Sequence, residues 1–133
     1  MKQRTYSTAE GRQALATGRI PVDVPAGKVK GPRGMNKLEA RFAQEALEPA
    51  RIAGLVMEYA YEDTRLRLAN GAWYKPDFRV VYNDGATEFI EVKGFWREAA
   101  RLRLKIAAEK FPLYRFVAVR RIKRDWIYER FGA

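Results

Sequence analysis

The sequence of 133 residues contains no histidine and no cysteine. Without histidine there is no imidazole zinc site, no histidine general base and no Ser/His or Cys/His nucleophile system. Without cysteine there are no disulfides and no thiolate metal sites, which fits a cytosolic protein. Any catalysis must therefore use carboxylates, lysine, tyrosine and an oxygen-bound hard metal such as magnesium.

Long apolar runs are also missing. No stretch approaches the roughly 20 apolar residues that a membrane-spanning helix needs. The start MKQRTYSTAEGRQ has basic residues but lacks the apolar segment of a secretory signal. We therefore expect a cytoplasmic protein with no membrane partner, and the chain length predicts one ordinary domain.

Positive charge is in excess, because the sequence has 26 lysines and arginines and only 16 acidic residues, giving a formal net charge of +10. A surplus of this size on a small domain favours a polyanionic partner, with nucleic acid the leading candidate, although a basic surface kept for solubility is the alternative.

Seven basic and two acidic residues fall within residues 1–34, so half of the net charge lies in a segment rich in glycine and proline. We interpret residues 1–34 as an N-terminal arm, with one short helix between Ser7 and Gly18, and residues 35–133 as the domain. The arm either lies on nucleic acid or a partner subunit, or is a disordered solvated tail.

Within the domain, apolar spacing predicts a helix that begins at Asn36 and ends before Pro49. Alternating patterns predict strands within residues 55–70 and on both sides of the turn near Gly85, a further strand at 114–121, and a terminal strand or turn at 126–131. A second helix is predicted over residues 97–110, closed by Pro112. The resulting order of helix, two or three strands, helix and strand indicates an α/β sandwich around a mixed sheet.

The second predicted helix has a broad apolar face and a basic stripe opposite to it. The apolar face comprises Ala99, Ala100, Leu102, Leu104, Ile106, Ala107 and Phe111. The stripe comprises Arg97, Arg101 and Lys105. Arg103 and Lys110 fall inside the apolar arc, so either they extend to water at its edge or one of them points over the sheet toward the site described next.

The stretch KPDFRVVYNDGATEFIEVKG, residues 75–94, predicts a hairpin. The register of this hairpin decides whether Asp77 and Glu91, near its two outer ends, lie opposite each other. A two-residue loop would place residue 78 opposite residue 91. A three-residue loop over residues 83–85, with Gly85 in the left-handed region, places Asp77 opposite Glu91. That register also puts Phe78, Val80, Ile90 and Val92 on one face, so the hydrophobic pattern favours it.

Two carboxylates roughly 5 Å apart on one face repel each other unless a proton or a cation lies between them. A magnesium ion held by Asp77 and Glu91 would satisfy this geometry and activate a water for attack on phosphorus. Lys93, two residues after Glu91 and on the same face, can orient the water or neutralise charge on the phosphate. Glu39 can complete the metal shell if its helix crosses the strand ends.

The segments MNKLEARFA, YKPDF and IEVKGF together resemble the PD-(D/E)XK nuclease superfamily over about residues 35–119. They are similar to small phage-encoded members and to Holliday-junction resolvases of the phage endonuclease I type. The resemblance implies a restriction-endonuclease-like α-β-β-β-α-β core, with a mixed central sheet flanked by helices. It also implies a Mg²⁺-dependent deoxyribonuclease, with Mn²⁺ able to substitute, in which Asp77, Glu91 and Glu39 bind metal and Lys93 is catalytic. A homodimer, branched DNA as substrate and the cytoplasm of a bacterial host follow by the same analogy.

Several basic side chains are expected to bind DNA phosphates. They are Arg97, Arg101, Lys105, Arg103, Lys28, Lys30, Arg33 and Lys75. Trp73, Tyr74, Phe95 and Trp96 flank the acids and either stack on unpaired bases or, for most of them, pack in the core. Two other functions remain open, namely a nickase or end-processing nuclease of the same superfamily, and a non-catalytic basic protein that coats nucleic acid.

Overall fold

The structure is a computed structural model that describes Gln3, Arg4, residues 34–95 and residues 97–132. Its helices are α1 (Lys37–Phe42), a π-helical segment (Ala43–Leu47), α2 (Glu48–Ile52) and α3 (Glu98–Lys110). Its strands are β1 (Gln3–Arg4), β2 (Val56–Tyr61), β3 (Leu66–Ala69), β4 (Ala72–Tyr74), β5 (Phe78–Tyr82), β6 (Thr87–Val92), β7 (Arg115–Ile122) and β8 (Asp125–Phe131). The mixed α/β class is confirmed. Most of the predicted arm, including the short helix between Ser7 and Gly18, lies outside the described residues.

A mixed sheet of five long strands forms the centre of the domain, and the two-residue strand β1 extends it at one edge. The strand order is β1-β8-β7-β6-β5-β2. Strand β6 pairs in parallel with β7, whereas the other neighbours in the sheet are antiparallel. The parallel pair is joined by the crossover through α3, as parallel strands require a long connection. Strands β3 and β4 form a separate hairpin.

The first helix begins with a capping box formed by Asn36 and Glu39. Asn36 Oδ1 accepts a hydrogen bond from the backbone N–H of Glu39 at 2.8 Å, and Glu39 Oε1 accepts one from the N–H of Asn36 at 3.0 Å. The two side chains thus satisfy donors that every helix start leaves unpaired.

The prediction that this helix ends before Pro49 is wrong, because it continues to Ile52 through the π-helical segment. In that segment the N–H of Glu48 donates to the carbonyl of Ala43, five residues back. The α-helical pattern starts again at Glu48, so Pro49 lies in a first turn. There the missing N–H of proline is tolerated.

One face of the sheet packs against the first helix, as the hairpin pattern predicts. Phe78, Val80, Ile90 and Val92 are all buried in one apolar cluster with Phe42. The ring centres of Phe42 and Phe78 are 5.8 Å apart and the rings are tilted, a favourable aromatic arrangement. Burial of this face fixes which side chains of β5 and β6 point the other way.

The second face of the sheet is covered by α3 and by the β3–β4 hairpin. Its apolar cluster includes Tyr74, Phe89 and Leu104. The broad apolar arc predicted for α3 is only partly correct, because Leu102 and Ile106 are 55% and 41% exposed. The helix buries a narrow stripe instead, formed by Leu104, Ala107 and Ala108.

Candidate functional site

The turn between β5 and β6 has the predicted three-residue form. Gly85 adopts φ +93°, and its N–H donates to the carbonyl of Tyr82 at 2.9 Å, while the N–H of Tyr82 donates to the carbonyl of Ala86. Phe78 pairs with Ile90. This register is the predicted one, and it places Asp77 and Glu91 opposite each other, one position beyond the last pair of the ladder.

Asp77 is buried at the start of β5. Its Oδ2 accepts a hydrogen bond from the N–H of Val92 at 2.8 Å, and within the described part of the chain its Oδ1 makes none. Burial and then the negative charge of Glu91 raise the pKa of Asp77 to about 8, against the lowering effect of the Val92 bond. The charge of Glu39 raises this pKa further, whereas Lys93 lowers it. Asp77 and Glu91 therefore interact electrostatically, as the sequence predicts.

Glu91 is held through both oxygens. Its Oε1 accepts a hydrogen bond from the hydroxyl of Tyr74 at 2.9 Å, and its Oε2 lies 2.9 Å from Nζ of Lys93. Partial burial alone lowers the pKa of Lys93, but the bond to Glu91 and the carboxylates of Asp77 and Glu39 raise it above its ordinary value. Lys93 is about one-third exposed, so its ammonium is charged and reachable from solvent.

Glu39 reaches the same region from α1 and is buried. Its Oε1 accepts a hydrogen bond from the hydroxyl of Tyr61 at 2.7 Å in addition to the capping bond from Asn36. Its charge acts on both Asp77 and Lys93. The three predicted acids and the lysine thus share one electrostatic environment, although Glu39 also fixes the start of its own helix.

The donor chemistry of the cluster suits a hard divalent cation. Asp77 and Glu91 supply oxygens in a buried setting where their mutual repulsion favours an added proton or cation. In the described ranges, however, no group of three or more acidic side chains converges at the distance that a metal requires. Asp77 and Glu91 thus offer oxygens of the type that Mg²⁺ takes without a third acid converging on them, and Glu39 is engaged through Oε1 by Tyr61 and by its own helix cap.

The predicted DNA-binding residues have different environments. Arg97, Arg103 and Lys105 are exposed on or next to α3, and Arg103 lies close enough to Tyr74 to lower its pKa. Arg103 and Lys110 are both exposed, as expected if they extend to water at the edge of the apolar arc, and the charge of Arg103 also acts on Tyr74.

Arg101 is engaged with Glu129, with Nη2 2.7 Å from Oε2. Lys75 pairs with Glu62 at 3.5 Å. Lys28, Lys30 and Arg33 lie outside the described residues, and phosphate binding by the whole set stays a prediction.

The sequence does not predict that two tyrosine hydroxyls hold the acids. Tyr61 bonds Glu39 and Tyr74 bonds Glu91, and burial together with these carboxylates raises the pKa of each hydroxyl. The available signal is weak: Tyr61 lies in an alternating strand pattern, Tyr74 is among the aromatic residues for which core packing is one interpretation, and a buried tyrosine hydroxyl usually finds a partner.

The aromatic residues that flank the acids in the sequence differ in their exposure to solvent. Tyr74 is buried, which agrees with a role in the core. Trp73 and Phe95 are 47% and 68% exposed, so core packing is the wrong interpretation for these two. Trp96 lies outside the described residues.

No helix in the described ranges is long and apolar enough to cross a membrane. A family model described as "Protein of unknown function (DUF1064)" matches residues 46–129. The matched segment contains Asp77, Glu91 and Lys93, and Glu39 lies before it. Neither the curated proteins nor the solved structures include a significant match to this chain.

Proposed function

The chain belongs to the DUF1064 family, whose description gives no function, and we propose that it is a metal-dependent DNA endonuclease that hydrolyses phosphodiester bonds. The observation that carries this proposal is the cluster of Asp77, Glu91 and Lys93 at the adjoining ends of β5 and β6. One face of the hairpin packs its apolar side chains into the core. The other face buries the interacting carboxylates of Asp77 and Glu91 beside the ammonium of Lys93. Such a cluster is costly for stability, which is typical of a functional site.

Asp77 and Glu91 are the proposed ligands of Mg²⁺, for which Mn²⁺ could substitute. When bound, the metal would supply a water of lowered pKa and stabilise charge on the phosphate. Tyr74 orients Glu91 through its hydrogen bond. Lys93 places a positive charge where the phosphate of a substrate strand would lie, so that it orients the nucleophile and offsets negative charge as the bond breaks.

The element order supports this function. A helix, three strands of the sheet, a second helix and a further strand follow one another in the order that the PD-(D/E)XK resemblance implies. In this chain the β3–β4 hairpin is inserted before the Asp77 strand, and it contributes Tyr74. The net charge of +10 provides the attraction for a polyanionic strand.

The preference for branched DNA and the homodimeric assembly rest on the similarity to resolvases alone, so they are part of the proposal. A nickase or an end-processing nuclease would use the same cluster. The substrates that distinguish these activities are a four-way junction, a nicked duplex and a linear duplex, each incubated with Mg²⁺ under the same conditions.

A non-catalytic DNA-coating protein is the second candidate. The observation in its favour is that Glu91 and Glu39 are each engaged by protein groups, as carboxylates in a purely structural network would be. Under this alternative the acids serve stability, and their neutralisation would leave nucleic-acid binding intact while no hydrolysis occurs in the parent.

The test is cleavage of plasmid DNA and four-way junctions by the full chain, in Mg²⁺ and in EDTA. Asp77→Asn, Glu91→Gln and Lys93→Ala should each lower the cleavage rate by about a hundredfold or more. Glu109→Gln and Lys110→Ala remove the same charges at exposed positions on α3 and should cleave like the parent. Absence of cleavage by the parent, or full activity of Asp77→Asn, would contradict the nuclease function.

A further inference from the structure

Two exposed aromatic side chains are near neighbours in sequence of Tyr74 and Lys93, the two residues that hold Glu91. Trp73 precedes Tyr74 on β4, and because side chains alternate along a strand it points away from the face where Tyr74 meets Glu91. Phe95 follows Lys93 by two residues. Exposure of 47% and 68% leaves much of each aromatic surface in contact with water, although burial of such rings is normally favourable.

Each ring is accompanied by an arginine. The guanidinium carbon of Arg65 lies 4.7 Å from the ring centre of Trp73, and that of Arg97 lies 5.5 Å from the ring centre of Phe95. A guanidinium over one face of a ring keeps the aromatic side chain in place through a cation–π interaction. The remaining exposed surface is then presented beside a fixed positive charge, a combination that suits a base stacked on the ring and a phosphate bound to the arginine.

An open cavity of about 280 Å³ adjoins Phe95. It is lined by Lys93, Gly94, Phe95, Arg97 and Ala100. This volume is near the small end of the range of ligand pockets, so it suits a single nucleotide unit and not a duplex. Since Lys93 belongs both to the cavity and to the acid cluster, a nucleotide bound here would be next to the phosphate proposed to react.

The other exposed apolar residues do not share these features. Ile52, Met57 and Leu113 are at least half exposed, but they are aliphatic and offer no flat surface for stacking. In duplex DNA the bases are already stacked on one another, so an aromatic platform gains little from paired bases. The two aromatic–arginine pairs therefore discriminate in favour of bases that lack a pairing partner.

We propose that Phe95, with Arg97 and the adjoining cavity, forms a binding subsite for unpaired nucleotides beside the acid cluster, and that Trp73, with Arg65, is a second stacking position on the β3–β4 hairpin. The substrate class is consequently DNA with a single-stranded segment adjoining a duplex, as in flaps, bubbles and open branch points. This inference deepens the proposed nuclease function and rests on it for the reaction, whereas the binding preference itself can be measured without hydrolysis.

The test measures binding of the full chain in EDTA to fluorescently labelled DNAs of equal length, by anisotropy. The DNAs are a duplex, a duplex with a central unpaired bubble, and a single strand. The parent should bind the bubble and the single strand at least about tenfold more tightly than the duplex. Phe95→Ala and Trp73→Ala should each weaken binding to these two DNAs by about 5- to 150-fold, the range for loss of one stacked base, with little change for the duplex.

Two control variants separate stacking from general effects. Phe95→Tyr keeps an aromatic face and should retain the preference for unpaired DNA. Leu113→Ala removes an apolar side chain of similar exposure elsewhere and should bind as the parent does. All variants change exposed side chains, so thermal melting should show parental stability.

The outcomes distinguish this inference from the nuclease proposal. Equal affinity of the parent for duplex and bubble, or parental binding by Phe95→Ala and Trp73→Ala, would overturn the subsite even if cleavage is observed. Selective binding of the bubble by a parent that cleaves no DNA would contradict the nuclease proposal and leave the subsite standing. Asp77→Asn should lose cleavage and keep the preference for unpaired DNA.

Discussion

The hydroxyl of Tyr74 donates a hydrogen bond to Oε1 of Glu91 over 2.9 Å, from a strand that is not part of the central sheet. Lys93 holds the other oxygen of the same carboxylate. Glu91 is thus oriented by the β3–β4 hairpin on one side and by its own strand on the other. The hairpin therefore belongs to the site as well as to the cover of the sheet.

Substitution Tyr74→Phe should lower Mg²⁺-dependent cleavage by about 10- to 100-fold, the usual effect of removing a group that orients a metal ligand. The phenyl ring preserves the packing of the buried side chain, so the melting temperature should change little. The control is Tyr114→Phe, because Tyr114 is half-buried and has no carboxylate partner in the described structure, and the two variants should differ only slightly in melting temperature. The readouts are initial cleavage rates over a Mg²⁺ titration and thermal melting. Parental rates for Tyr74→Phe at all Mg²⁺ concentrations would show that the hydroxyl does not orient a ligand.

Stability of the metal-free protein should depend on the protonation of Asp77. The pKa of Asp77 is raised to about 8 in the folded state, above its value of about 4 in the unfolded chain, so the folded state binds the proton more tightly. The resulting stabilisation is fully present below about pH 4 and is lost as the pH rises toward 8, with a slope of at most about 1.4 kcal/mol per pH unit.

Urea denaturation in EDTA across this pH range measures the effect. The free energy of unfolding of Asp77→Asn should lack this component, whereas Glu109→Gln should follow the parent. Identical pH profiles for the parent and Asp77→Asn would contradict the raised pKa.

Gly85 is required by the conformation of the hairpin turn. Its φ of +93° is unfavourable for any residue with a Cβ, although a Cβ built there meets no atom within 4 Å. Gly85→Ala should therefore lower the free energy of unfolding by about 1–2 kcal/mol through backbone strain alone. Gly94→Ala provides the matched control, because its surroundings are equally open and its φ is outside this region. Equal stability of the two variants would mean that the turn tolerates a Cβ.

Arg101 and Lys105 occupy one helix but should differ in their effect on DNA binding. The ion pair of Arg101 with Glu129 competes with phosphate, whereas Lys105 is exposed. Lys105→Ala should weaken binding to all DNA sequences and reduce the slope of log affinity against log salt by about one. Arg101→Ala should change this slope less and lower the melting temperature more. A larger change of slope for Arg101→Ala would reverse this assignment.

The register of the β5–β6 hairpin could be predicted because two independent constraints agree on it. Turn length fixes the pairing, and only one register places Phe78 and Ile90 together on an apolar face. The partner of Glu91 could not be predicted in the same way. It depends on how the β3–β4 hairpin folds over the sheet, and no local pattern in the sequence encodes that packing.

The two helices illustrate further limits of the sequence. Periodicity locates α3, but it cannot tell how wide a stripe the sheet covers, and Leu102 and Ile106, which the pattern places on the apolar face, are exposed. Proline usually ends a helix in such patterns. Pro49 does not, because the hydrogen bonding changes to the π type before it, and that change has no recognised sequence signature.

The π-helical segment is equivalent to one extra residue in a regular helix, so it turns everything after Leu47 by about 100° relative to the residues before Ala43. After the segment, Glu48 accepts a hydrogen bond from the hydroxyl of Tyr59 on β2 at 2.7 Å, whereas before it the charge of Glu39 acts on Asp77. The two halves of the helix therefore present their acidic side chains in different directions, one toward the edge strand β2 and one toward the acid cluster. Removing a single residue between Ala43 and Leu47 would restore one regular helical repeat. Glu48 could then not face Tyr59 while Glu39 faces the acid cluster.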